Sequence, residues 1–242
     1  MQDKAAERTV THISGSNYDL PYFKARNQDQ DRPALWFYER IARRWIKPGV
    51  VLDYGCGTGF MLRRLARYYD VAGFDVSSHA LDAVRKNVSA ANVYGEEESI
   101  PKGLFSGIVS IHVLEHINKD ILFETLACWH SSLINHGRVL CAVPDYNGRG
   151  RLLSCEHWIG FGDPSHVTLL GAEEWRTIFT SAGFSVFRVG SDGLWNLPYR
   201  KGKWKVQDGI RFSIPALVQF ILGRLILPMG SGESAIFLLE KA

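Results

Sequence analysis

Residues 51–60 read VLDYGCGTGF, an apolar run that stops on glycines at 55, 57 and 59. A short apolar run closed by glycines is the pattern of a strand buried on both faces. The glycines permit a tight turn with close backbone approach, from which a helix can start with free N–H groups at its head. Such an element demands a parallel sheet covered by helices on both sides. A dinucleotide fingerprint of the form GxGxxG would need glycine at position 60, where this chain has Phe60. Asp53, just before the turn, would repel a pyrophosphate and suits a ligand that carries an ammonium group.

The rest of the chain extends that alternation. Trp36, Phe37, Ile41, Trp45 and Ile46 share a helical face that ends at Lys47-Pro48-Gly49. After VVLDYG, the pattern predicts a helix over Thr58 to Tyr69, a strand Val71 to Val76, a helix Ser78 to Val88 and a short strand near Val93. It continues with a strand Gly107 to His112, a helix Lys119 to Leu133, a strand Arg138 to Val143, a helix Ala172 to Ala182 and strands Ser185 to Val189 and Ala235 to Leu239. The expected fold is α/β: a doubly wound, mostly parallel, seven-stranded sheet in three αβα layers. It occupies residues 47–242, behind an N-terminal arm and helix at 1–46, with an insertion at 190–233 between the last two strands. Ser213 followed by Pro215 marks a helix start inside that insertion. Its apolar run is shorter than the roughly 20 residues a membrane-spanning helix needs, and Arg224 interrupts it.

Composition narrows the function classes. Against 28 Lys+Arg stand 25 Asp+Glu, a net charge of +3, which does not support a nucleic-acid surface. Cys56, Cys128, Cys141 and Cys155 form no CxxC pair, and the first sixteen residues lack an apolar signal region. A reducing, cytoplasmic setting is expected. The basic residues Arg200, Lys201, Lys203, Lys205 and Arg211 precede the apolar run, so a peripheral membrane contact through 200–229 is a further expectation, beside packing on the sheet or at a dimer interface.

VLDYGCGTG resembles motif I of the class I S-adenosylmethionine-dependent methyltransferases, a Rossmann-like family. The likeness continues through AGFDVS, YGEEESIP, SGIVSIHVLEHI, HGRVLCAVPD and EEWRTIFTSAGF, in register over about 50–190. It implies S-adenosylmethionine as cofactor, with the turn (Gly55, Cys56, Gly57, Gly59) and Asp53 around its aminoacyl end. Asp75, with Val76 after it, would accept both ribose hydroxyls, though Asp75 could also cap the next helix. Glu96, Glu97 and Ile111 would border the adenine, the acids being equally readable as a solvated loop. Tyr22 and Arg26 would close over the cofactor, Arg26 near its carboxylate.

Methyl transfer needs alignment and, for a hydroxyl acceptor, removal of a proton. His112, Glu115 and His116 follow the fourth strand, at the carboxyl end of the sheet where open α/β folds bind ligands. The segment resembles quinone-biosynthesis O-methyltransferases, in which an acid at the first position joins the Glu-His pair in a metal site. Here that position is His112, which departs from the pattern; acid/base work or acceptor contact, with no metal, is the preferred role, beside structural hydrogen bonding and a His-Glu-His metal set that the residue types would allow. DPSHV, residues 163–167, resembles a stretch bordering the acceptor pocket of envelope- and glycan-associated methyltransferases, which makes His166 a further base candidate; ordering its own loop is the alternative. A zinc set of Cys155, His157, Asp163 and His166 lacks a familiar ligand spacing. Asn196-Leu197-Pro198-Tyr199 spells NLPY, but lies after the sixth strand rather than the fourth. The expected acceptor is a small molecule, sugar or lipid-linked metabolite, modified at oxygen. The rivals are a cofactor-retaining module without turnover and an NAD-dependent oxidoreductase.

Overall fold

A computed structural model describes residues 15, 18–26, 28–96, 98–195, 210 and 213–242. Seven strands form one sheet in the order β3-β2-β1-β4-β5-β7-β6. They are β1 (Val50–Tyr54), β2 (Asp70–Phe74), β3 (Asn92–Tyr94), β4 (Phe105–Ile111), β5 (Leu133–Pro144), β6 (Phe184–Ser191) and β7 (Ser234–Lys241). β1 to β5 are parallel, and β7 inserts antiparallel between β5 and β6.

Alternating side chains divide the core between two faces. Leu140 and Ala142 of β5 pack with α2 (Pro33–Trp45), α3 (Phe60–Leu65) and α4 (Ser78–Asn87); Val139, Cys141 and Val143 pack with α5 (Lys119–Ser132) and α7 (Ala172–Ser181). α2 belongs to the covering layer, contributing Phe37, Tyr38, Ile41 and Ala42 to the first of these cores.

Several boundaries differ from the sequence pattern. α3 ends at Leu65, because Ala66 to Tyr69 wind into turns and the Tyr69 hydroxyl bonds the Ala42 and Ile46 carbonyls at 3.3 and 3.2 Å. β5 begins five residues early: Leu133 pairs with Phe105, and His136, at φ +59°, bends the strand before Arg138 resumes pairing. Two six-residue helices carry no periodic signal, one in the arm (α1, Leu20–Ala25) and one after β5 (α6, Arg149–Ser154). The insertion contains α8 (Ile214–Leu222), starting where Ser213 and Pro215 place it. No helix among the described residues is long and apolar enough to cross a membrane. Residues 196–209, including NLPY and most of the basic run, lie outside the described residues, as do Arg211 and Glu97.

The chain order reverses between β1 and β4, the switch point where open α/β sheets form their crevice.

Candidate functional site

A cavity of about 1010 Å³ opens at the carboxyl ends of β1, β2 and β4. On one side stands the glycine turn. Gly55, at φ +77°, leaves no room for a Cβ, which would fall 2.3 Å from Val113 Cγ2; Gly57 sits at φ +50°. The amides of Gly55 and Cys56 donate to the Phe74 carbonyl, that of Gly57 to Asp75 Oδ2 at 2.8 Å and that of Gly59 to the Cys56 carbonyl. These four amides therefore shape the turn itself, and α3, six residues long, is too short to act as a strong dipole.

Two carboxylates stand beside the turn on this side. Asp75 Oδ1 accepts the Ser77 amide at 2.9 Å, so each of its oxygens holds one N–H and keeps capacity for another donor. Ser77 is the cap of α4, its Oγ accepting from Ala80 N at 3.1 Å. Asp53 is 3% exposed, and its Oδ2 has no hydrogen-bond partner. Burial, reinforced by Asp75, pushes its carboxyl up to about 8. A lone buried carboxylate oxygen beside a pocket suits an ammonium group, so these residues fit an amino-acid cofactor.

The other side is a side-chain network. His112 occupies a left-handed backbone position at φ +57°, and its Nδ1 lies 3.2 Å from Glu115 Oε1. Burial would raise Glu115, but the His112 hydrogen bond and the charges of His112, His116 and His166 outweigh it and hold the carboxyl low. Glu115 Oε2 is buried without a hydrogen-bond partner. Ser165 donates its hydroxyl to Asp163 Oδ1 at 2.5 Å, so it accepts from His116 Nδ1 at 2.9 Å. His166 Nδ1 donates to the Gly160 carbonyl at 2.7 Å. All three imidazoles thus carry their proton on Nδ1 when neutral and keep Nε2 as the lone-pair nitrogen. Burial lowers the pKa of His116, favouring its neutral form.

The arm straps this network to the cofactor side. Ser77 donates its hydroxyl to the Tyr18 carbonyl, Tyr18 sets its ring edge-on to His116 with centroids 6.0 Å apart, and Tyr22 donates to Asp163 Oδ2 at 3.2 Å. Arg26 ion-pairs with that same oxygen, which together with Ser165 offsets burial and holds the Asp163 carboxyl well below the usual range.

The cavity is lined by Asp53, Gly55, Cys56, Gly57, Asp75, Val76, Glu96, Ile111, His112 and His116, all singled out from sequence. Gly59 stands behind the turn as the cap of α3. Glu115 and His166 do not line the cavity: Glu115 backs His112, and His166 packs on His116 with ring centroids 4.6 Å apart. Arg26 is turned to Asp163 and also lies off the cavity wall, while Tyr22 is on it. Cys155, His157, Asp163 and His166 do not come together as one ligand set. Cys155 is exposed and Asp163 is taken by Arg26; instead Glu115, His116 and His166 bring one potential ligand atom each within 4.8 Å of the others. Asp163 figures in the sequence reading only as a member of the zinc set and Ser165 carries no role there, although the turn signal Asp-Pro-Ser marks both: the Ser165 amide closes on Asp163 Oδ1 at 2.9 Å.

A family model described as a methyltransferase domain matches residues 26–189. Among curated proteins, ribosomal protein L11 methyltransferase of Burkholderia ambifaria is 35% identical over 81 residues, 29% of this chain; the match spans only 27% of that relative's length. Among solved structures, a SAM-dependent methyltransferase from Archaeoglobus fulgidus aligns with TM-score 0.62 and 19% identity over 91% of this chain and 99% of its own. The Burkholderia thailandensis 1,6-didemethyltoxoflavin-N1-methyltransferase, solved with its substrate and S-adenosylhomocysteine, aligns with TM-score 0.58 and 14% identity over 94% of this chain and 87% of its own.

Proposed function

The chain belongs to the methyltransferase-domain family, and we propose that it is an S-adenosylmethionine-dependent methyltransferase acting at an oxygen of a small-molecule, sugar or lipid-linked acceptor. The observation that carries this reading is one cavity joining Asp53, whose buried Oδ2 has no hydrogen-bond partner, and the half-used carboxylate of Asp75 to the lone-pair face of His112.

When bound, the cofactor supplies an electrophilic methyl group. Asp53 holds its ammonium, Asp75 accepts its ribose hydroxyls on the two free lone-pair directions, and the glycine turn gives the aminoacyl end room against the backbone. Val76, Glu96 and Ile111 border the base. His112 takes the acceptor's hydroxyl proton on Nε2. Glu115 fixes the ring by accepting from Nδ1, and its buried charge stabilises the imidazolium that results. His116, neutral and pinned through Ser165, lines the same cavity and positions the acceptor.

The reading is tested by titrating S-adenosylmethionine, S-adenosylhomocysteine and NAD into wild type and Asp75→Ala. Tight binding of both sulfur compounds, weakened in the variant and absent for NAD, is expected. Binding of NAD alone would favour an oxidoreductase; no binding would remove both the enzyme and a cofactor-retaining module. Activity against a panel of hydroxyl acceptors, with and without chelator, then separates proton removal by His112 from cation chemistry at Glu115, His116 and His166.

A further inference from the structure

We propose that the outer face of α8, with the arginine cluster beside its carboxyl end, is a docking surface for an anionic phospholipid bilayer. The helix is inside out. Its sequence IPALVQFIL has no charged residue and one polar residue, Gln219, which is fully buried. The Gln219 amide donates to the Ser191 carbonyl at 2.8 Å and accepts from the Ile226 and Leu227 amides at 2.6 and 2.7 Å. Arg40 of α2 binds the carbonyls of Ile221 and Leu222 at 3.0 and 3.2 Å. The bonds of buried Gln219, with those of Arg40 at the helix end, therefore lock the rotation of α8, and the aliphatic side chains of its outer face have no inward alternative.

Those side chains are Ile214, Leu217, Val218, Ile221 and Leu222, each 44–58% exposed. Their spacing is that of a helical apolar stripe, the arrangement a water-facing helix would turn toward the core. A contiguous exposed apolar patch marks an interaction surface.

Charge selects the occupant. A second cavity, of about 490 Å³, joins Leu222 and Gly223 at the end of α8 to Arg40, Arg43, Arg44 and Arg67. Its one acid, Glu39, has a side chain 4% exposed and is bound by Arg64 at 3.2 Å and Arg43 at 3.7 Å. Arg224, one residue past the helix cap, is exposed as well. Arg43 is paired with Glu39 and Arg40 is spent on the helix end, but Arg44, Arg67 and Arg224 are exposed and form no ion pair found among the described residues. An apolar stripe that ends beside such guanidinium groups matches acyl chains lying beside phosphate headgroups, which guanidinium recognises well. Nine residues are too few to span a bilayer, so α8 would lie in its plane. None of these residues lines the methyltransferase cavity, and the surface is independent of the acceptor's identity. Its cations come from α2 and the turn after α3, elements other than the basic run at 200–211.

The full chain is mixed with vesicles of phosphatidylcholine alone, or of phosphatidylcholine and phosphatidylglycerol in equal parts, and floated on a density gradient. Wild type is expected to float with the mixed vesicles and not with the neutral ones. Leu217→Ser with Ile221→Ser should lower partitioning about tenfold or more. Arg44→Gln with Arg67→Gln should lower it about fivefold per arginine at low salt and far less at high salt. Because all four side chains are exposed, both double variants should keep the wild-type melting temperature and cofactor binding. Wild type that stays unbound to mixed vesicles overturns the proposal, as does flotation that both double variants leave intact. A dimer that the apolar variant returns to monomer, with no flotation by wild type, assigns the face to a second copy and overturns it too. Flotation without binding of S-adenosylmethionine would sink the cofactor reading and leave the docking surface standing.

Discussion

The two sides of the main cavity are built by different means. The cofactor side is backbone: one turn, four amides that donate within the protein, and two carboxylates held close by β1 and β2. The acceptor side is side chains, drawn from α1, the end of β4 and the 163–168 loop, and tied through Asp163, Ser165, His116, Glu115 and His112. A turn defined by left-handed glycines has one shape, and it fails as a unit. A relay of side chains can lose one member, keep its outline and lose chemistry. Substitutions on the two sides should therefore separate binding from turnover.

The largest separation is expected at His112. His112→Ala removes the proposed base and should lower kcat by about 100- to 10,000-fold, while the Kd for S-adenosylmethionine stays within about twofold of wild type, since His112 does not hold the turn. A comparable loss of cofactor binding, by calorimetry, would show that the two sides are one. Gly55→Ala makes the opposite cut. A Cβ there meets Val113 at 2.3 Å on a backbone at φ +77°, and strain of about 1–3 kcal/mol should either displace the turn or unfold it. Cofactor affinity should fall about 100-fold, with a lower melting temperature, and the acceptor-side histidines should keep their NMR titrations wherever the protein folds.

That division also explains what the sequence discloses. The turn is legible because its function is local: VLDYGCGTGF encodes the strand, the left-handed positions and Asp53 within ten residues. The doubly wound, mostly parallel sheet follows from the alternation of elements, which buried strands enforce, while Asp75 is placed by the family resemblance of AGFDVS. His112 and Glu115 are three apart and could be paired by eye. The link from His116 to Ser165 spans 49 residues, and that from Tyr22 to Asp163 spans 141, so no periodicity records them. Asp163 shows in the sequence only as one member of a zinc set, because an aspartate before proline advertises a turn, and its hold on Ser165, Tyr22 and Arg26 exists only in the fold. The short helices α1 and α6 escaped for a related reason: six residues are too few to show a period. α8 was placed correctly, but the burial of Gln219 inverts the face that its sequence would assign to the core.

A smaller effect tests the charge logic of the cofactor side. Asp53 sits at about 8, raised chiefly by burial and then by Asp75, so the free protein carries its proton at neutral pH. An ammonium ligand favours the carboxylate, and binding must release that proton. Affinity for S-adenosylmethionine should rise by up to about tenfold per pH unit toward pH 8 and then level. The stability of the free protein should run the other way, because a carboxyl whose folded pKa lies above its unfolded value near ~3.9 loses stabilisation as pH climbs between the two. Calorimetry in buffers of different ionisation enthalpy counts the released proton directly. Asp53→Asn should abolish both the proton release and the pH slope, and a slope that survives would place the ammonium elsewhere.

The smallest effect lies where the two sides meet. The family resemblance puts Arg26 at the cofactor's carboxylate, whereas in the structure it pairs with Asp163, whose side chain is 10% exposed against 27% for Arg26. A partly exposed pair of this kind contributes about 1 kcal/mol or less, so Arg26→Met should move the melting temperature by no more than about 2–4 °C. Its kinetic signature is the sharper readout. Asp163 would keep Ser165 and the Tyr22 hydroxyl but lose the charged half of its hold on the arm, loosening His116 and the tyrosines above it. The acceptor KM should then rise about fivefold, by the same ~1 kcal/mol, with cofactor Kd unchanged. If cofactor Kd weakens about tenfold and the acceptor KM holds, Arg26 leaves Asp163 when the cofactor binds, and the arm belongs to the cofactor side. The division between the halves would then run through the Asp163 carboxylate, with Tyr22 alone strapping the acceptor side.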